Sequence, residues 1–209
     1  MDVERYGIVL LPDERTAREA VTRAMWARVY EEDDYLLGGE VAAPYSFPHC
    51  TLYQAWFAAS DRFRLVQAVH ALSRHRGVSA GSLDHYLAYV GGYLFWNVRI
   101  PMRRELALLQ ADVLSAAAPM HRRQPGAGEA AWMSERERDH DRSYGYHLVG
   151  AEFIPHITLA RVPDMETARS VGDRLPQGEW DCTFDRIGLV LTGPQGQAVE
   201  RIADFELTA

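Results

Sequence analysis

The sequence predicts an α+β domain. Apolar runs of strand length alternate with amphipathic stretches of helix length, and turn signals separate them. One pentapeptide pattern, Pro-His-x-Thr-Leu, opens a strand in each half: Pro48-His49-Cys50-Thr51-Leu52 and Pro155-His156-Ile157-Thr158-Leu159. The 209 residues are 47% hydrophobic and 24% charged, the size and balance of one globular domain able to bury its own core.

The first strand is the apolar run 6–11, ended by Pro12. Asp13 is placed to cap a helix over 14–30, with Ala17, Ala20, Val21, Ala24 and Met25 near helical spacing. Residues 31–47 read as irregular. The first histidine motif opens a strand over 49–56, and Ser60 or Asp61 caps a helix to about 75 with Phe63, Val66, Val69 and Leu72 on one face. Strands over 86–90 and 93–100 flank the turn-forming Gly91-Gly92, and Pro101 leads into a helix over 103–117.

Residues 119–147 break the pattern with Pro119, Pro125, Gly126, Gly128 and the mixed-charge run 135–142. They are expected to form a solvated, mobile insertion, of the kind that can serve as a lid. A strand over 153–161 then carries the second motif, and Pro163-Asp164 starts a short helix to about 175. Strands over 180–184, 187–192 and 199–207 close the chain.

Composition narrows the function. The formal net charge of −7 argues against a broad nucleic-acid groove, while a small anion held by a few local arginines stays compatible. All 22 basic residues counted with lysine are in fact arginine, which removes lysine catalysis. Cys50 and Cys182 show no disulfide framework or metal-ligand spacing, so no metal is expected. With no bilayer-spanning apolar run and no signal-peptide pattern at the start, the expectation is a cytoplasmic protein without membrane association.

On a strand, residues i and i+2 project from one face. Each motif therefore delivers an imidazole and a hydroxyl side by side, with Cys50 and Ile157 turned the other way. Two such strands would surround one phosphorus with a proton acceptor, a proton donor and two hydroxyls for the non-bridging oxygens. Tyr53 shares strand parity with His49 and Thr51 and, with Trp96, is a candidate to stack on a base. Arg161 is a candidate phosphate contact near its strand end. His140 and His147 match no familiar metal-ligand spacing.

The two motifs resemble those of the 2H phosphoesterase superfamily, and the run His156-Ile157-Thr158-Leu159-Ala160-Arg161 is similar to the second motif of its RNA 2′-5′ ligase-like branch. The resemblance extends to the first strand, the strand near Trp96 and the terminal strands. It implies a bilobal, pseudo-twofold domain over 1–209, with antiparallel sheets lining a central cleft and helices outside. It also implies cofactor-free and metal-independent work on a 2′,3′-cyclic or 2′-5′ phosphodiester, with His49 and His156 as acid and base and Thr51 and Thr158 as phosphate ligands. The partner expected is a small cyclic phosphodiester or an RNA terminus, met by a monomer. RNA 2′-5′ ligation or processing, or a cleft repurposed for a non-nucleotide metabolite, are the alternatives.

Overall fold

The computed structural model describes residues 2–27, 46–81, 85–90, 93–123, 131–162, 164–166, 169, 180–193 and 196–208. Along the chain come β1 (Val3–Pro12), α1 (Glu14–Ala27), β2 (Cys50–Ala58), α2 (Arg62–Leu72), β3 (Val78–Gly81), β4 (His85–Val90), β5 (Tyr93–Arg99), α3 (Arg104–Ala117), α4 (Glu135–Tyr144), β6 (His156–Val162), β7 (Asp181–Thr192) and β8 (Ala198–Glu206). The fold is α+β, as the alternation of periods predicts.

The strands form one open sheet in the order β3-β7-β1-β2-β6-β5-β4, with β8 also paired to β7, and all of these pairs are antiparallel. Two blocks are evident within it. β1, β2 and β7 share long ladders, as do β4, β5 and β6, whereas β2 meets β6 through the single pair Cys50↔Ile157. This narrow junction gives the domain its two halves.

One face of the sheet buries the main core. Tyr6, Ile8 and Leu10 of β1 join Leu52 and Phe57 of β2, and the helices add Ala20 and Ala24, Leu65 and Val69, and Leu106, Leu109 and Val113. The opposite face carries a small second cluster of Val9, Leu11, Val190 and Ala198, packed against Phe47. Asp13 caps α1 as expected, its Oδ1 accepting from the Thr16 N–H at 2.7 Å.

Several expectations change. The segments 180–184 and 187–192 belong to one twelve-residue strand, β7 (Asp181–Thr192), because β1 pairs on both sides of a register shift at Asp185, while β3 pairs up to Phe184 and β8 from Arg186 along the other edge. β3 carries too short a run to have been read. On α2 the buried face is Leu65, Val69 and Leu72, while Phe63 is 69% exposed. Within 119–147 the charge run forms α4, closed at its start by a capping box of Ser134 and Glu137 and at its end by Gly145 at φ 68°. Most of the irregular stretch 31–47, most of the expected helix after Pro163, and residues 124–130 lie outside the described residues. No helix among the described residues is long and apolar enough to cross a membrane.

Candidate active site

The two motifs meet at the junction between the blocks. Cys50 and Ile157, the middle residue of each, are directly paired and fully buried. Side-chain alternation then sends their neighbours to the opposite face. Because the strands run antiparallel, His49 lies across from Thr158 and Thr51 across from His156, which gives the arrangement its local twofold symmetry. All four side chains line one pocket of about 270 Å³. The sequence-predicted set of two imidazoles and two hydroxyls is thus brought together.

Both imidazoles are locked in the same way. His49 Nδ1 donates to the Phe47 carbonyl at 2.7 Å, and His156 Nδ1 donates to the Ile154 carbonyl at 2.6 Å. In each motif the acceptor lies just before the proline, two residues upstream of the histidine. The lock places a hydrogen on Nδ1 and leaves Nε2 as the nitrogen that can exchange a proton. Burial lowers the His49 pKa to about 4, against the backbone hydrogen bond that raises it and with the charge of His156 adding to the depression. Burial also lowers His156. At neutral pH both rings rest neutral, and a proton on one opposes a proton on the other.

The leucine of each motif breaks the alternation. Val9 pairs with Thr51 but Ile8 pairs with Tyr53, so Leu52 is an extra residue. On the other strand Asn97 pairs with Thr158 but Trp96 pairs with Ala160, so Leu159 is extra. Each is a β-bulge, after which the strand's facing is reversed. Tyr53 is therefore in the core, 0% exposed, its hydroxyl donating to the Tyr144 carbonyl at 2.5 Å, and Gln54 takes the cleft-facing place. This overturns the parity argument for Tyr53 as a stacking residue. Trp96 likewise belongs to the core, its indole N–H donating to His85 Nδ1 at 2.9 Å, and its neighbours Phe95 and Asn97 line the cleft instead. Arg161 gains from the same irregularity: it pairs with Phe95 and so shares the cleft face, outside the residues that line the pocket.

Some cleft groups were not picked out from the sequence. Asn97, 1% exposed, accepts the Thr158 hydroxyl at 2.7 Å through Oδ1. Tyr86 meets the His156 ring edge-on, and the Arg99 guanidinium lies 4.8 Å from the Tyr86 ring centre. The segment 132–148 forms a further wall through Trp132, Glu137, Tyr146 and His147. The His147 ring is packed edge-on against Trp132 and Tyr146. Burial takes its pKa to about 4, opposed by the Glu137 charge. Among the described residues no three His, Cys, Asp or Glu side chains converge as metal ligands.

The signal for this wall was present in part. Ser134-Glu135-Arg136-Glu137 followed by Gly145 is a helix start and stop, obscured because the run has no apolar face. Asn97 is found only from the register of β5 against β6, which sets it across from Thr158 and leaves no mark in the sequence of either strand.

No protein-family model matches the sequence, and no curated protein shows significant similarity to it. Solved structures do match over essentially the whole chain. E. coli LigT in complex with 3′-AMP covers 100% of both chains at 17% identity with a TM-score of 0.58. TT0787 of Thermus thermophilus covers 97% of both at 15% identity and 0.61. A protein described as a phosphoesterase covers 100% of both at 16% identity and 0.56. The chain has the 2H phosphoesterase fold.

Proposed function

We propose that this chain is a phosphodiesterase that hydrolyses a small or terminal 2′,3′-cyclic phosphodiester by two-histidine acid–base catalysis. The observation that carries the reading is the paired, tautomer-locked His49 and His156, each set beside the other motif's threonine in one pocket. Likeness to LigT, whose structures include complexes with 3′-AMP and with phosphate, agrees with a phosphate-centred site.

The chemistry follows from the placement. A neutral Nε2 takes a proton from the attacking water as its oxygen bonds to phosphorus. The bond from phosphorus to one ribose oxygen breaks, and the imidazolium on the far side protonates that oxygen, leaving a monophosphate ester. An anionic phosphate between the rings favours the one proton that the pair must hold. His49 is assigned the base: it is 7% exposed and burial holds its pKa at about 4, so it rests in the proton-accepting form, whereas His156 is more open to the cleft. Thr51 and Thr158 flank the non-bridging oxygens. The pocket volume of about 270 Å³ lies just below the 300–1,000 Å³ usual for small-ligand sites, the scale of a single nucleotide unit.

The test is hydrolysis of the four nucleoside 2′,3′-cyclic phosphates in EDTA by the wild type, His49→Ala and His156→Ala. Loss of a general acid or base is expected to cost about 10²–10⁴-fold in each variant. A variant that folds and keeps full rate removes its histidine from the mechanism. A wild type with no turnover overturns the cyclic-phosphate reading.

A further inference from the structure

The cleft has an acceptor-bearing wall that the two-histidine chemistry leaves unused. Gln54 lines the pocket from β2, and its Oε1 is buried without a hydrogen-bond partner. α4 and the loop after it bring Glu137 and His147 to the same pocket. Burial of Glu137 is outweighed by its hydrogen bonds to Ser134, which with the nearby histidines lower its pKa, so it is a carboxylate at neutral pH. One oxygen accepts from the Ser134 N–H at 2.7 Å, leaving the other for a ligand. His147 is clamped by Trp132 and Tyr146, and its backbone carbonyl meets His140 Nδ1 at 3.3 Å. Tyr53 and Gln110 fix the same segment from behind: Gln110 Nε2 reaches the carbonyls of Leu52 and Leu148. The wall is therefore built, not a loop passing by.

We propose that Gln54, Glu137 and His147 form a base-recognition site that binds a nucleobase by its N–H edge while the phosphate lies between His49 and His156. The proposal rests on the nucleotide reading above. A carboxylate in the cleft repels the phosphate and so favours the orientation that puts the base beside it. Its remaining oxygen accepts from the amino group or N–H of guanine and from the amino groups of adenine and cytosine. Uracil presents carbonyl oxygens on both sides of its N–H, and these face the carboxylate unfavourably. Uridine 2′,3′-cyclic phosphate is therefore the poorest of the four substrates.

The deciding variant is Glu137→Gln, because glutamine retains the capping box and the helix with it. In the wild type kcat/KM for the amino-bearing bases is expected to exceed that for uridine by about 10–100-fold, the worth of one hydrogen bond to a charged group. In Glu137→Gln the gap closes mainly through KM. A flat wild-type profile, or an equal fall in kcat for all four, overturns the proposal. Binding of the free nucleosides, followed by NMR on wild type and Glu137→Gln, separates this from the catalytic reading. If the cyclic phosphates are not turned over but guanosine binds and the variant weakens it about tenfold or more, the wall stands without the proposed reaction. If no nucleoside binds, the wall is not a base site.

Discussion

On β2, Thr51 lies across from the apolar Val9, and among the described residues its hydroxyl has no hydrogen-bond partner. On β6, Thr158 lies across from Asn97 and donates its proton to it. His49 is 7% exposed, with Phe47 against its ring; His156 is more open and has Tyr86 against it. The backbone is nearly the same in both places: a carbonyl before the proline locks the histidine, and a bulge follows the threonine at Leu52 and at Leu159. Symmetric geometry thus holds unlike chemistry, which suits the in-line displacement proposed above, since its attacking and leaving oxygens need opposite proton transfers.

Replacing each threonine in turn should break the comparison most visibly. Thr51→Val removes the hydroxyl whose proton is uncommitted and is expected to cost about 10²-fold in kcat/KM, the range for a donor to developing charge. Thr158→Val removes one already donating to Asn97 and is expected to cost about tenfold, the worth of a neutral hydrogen bond. Steady-state kinetics on one cyclic nucleotide reads both. Equal losses would mean that Asn97 releases the Thr158 hydroxyl when phosphate binds.

The pH profile sharpens the same contrast with a smaller effect. Since kcat/KM reports the free enzyme, its rising limb follows deprotonation of the base and its falling limb deprotonation of the acid. Burial holds His49 at about 4 and places His156 below its ordinary 6.5. The optimum is therefore expected between about 4 and 6.5, with a loss approaching tenfold per pH unit above it. The kcat optimum should lie higher, because bound phosphate stabilises the imidazolium. A kcat/KM plateau reaching pH 8 would remove the protonated histidine from the scheme.

What the sequence reveals divides along the same bulges. Up to the threonine, strict alternation places His49 and Thr51, and His156 and Thr158, on one face, and a two-residue period is enough to see it. Beyond the leucine that period fails, because an extra residue is a matter of pairing with β1 or β5 and leaves no periodic trace in the motif strand itself. Tyr53 was misplaced for this reason and Gln54 was missed with it; Trp96 was misplaced, and Phe95 and Asn97 missed, because the sequence does not show which face of the regular strand β5 meets the motif strand β6. The fold class was legible because α1, α2 and α3 each carry an apolar stripe. α4 has none, so only its caps marked it, and with it went the cleft wall of Glu137 and His147.

Tyr53 gives the smallest expected effect and tests whether the bulge is understood. Its counterpart after the second bulge is Ala160, buried and without a hydroxyl, so only β2 is tied to a neighbouring segment in this way. Tyr53→Phe keeps the ring in the core and deletes the hydrogen bond to the Tyr144 carbonyl. The expected cost is about 1 kcal/mol, since the bond is neutral and the carbonyl, at an exposed residue, can turn to water. It should appear as a lower denaturant midpoint with an unchanged slope. The rate on a cyclic nucleotide should stay within about twofold, because Tyr53 lies behind the wall and touches no reacting atom. A tenfold fall in kcat/KM with unchanged stability would instead return Tyr53 to the cleft and show that β2 runs without its bulge when substrate is bound.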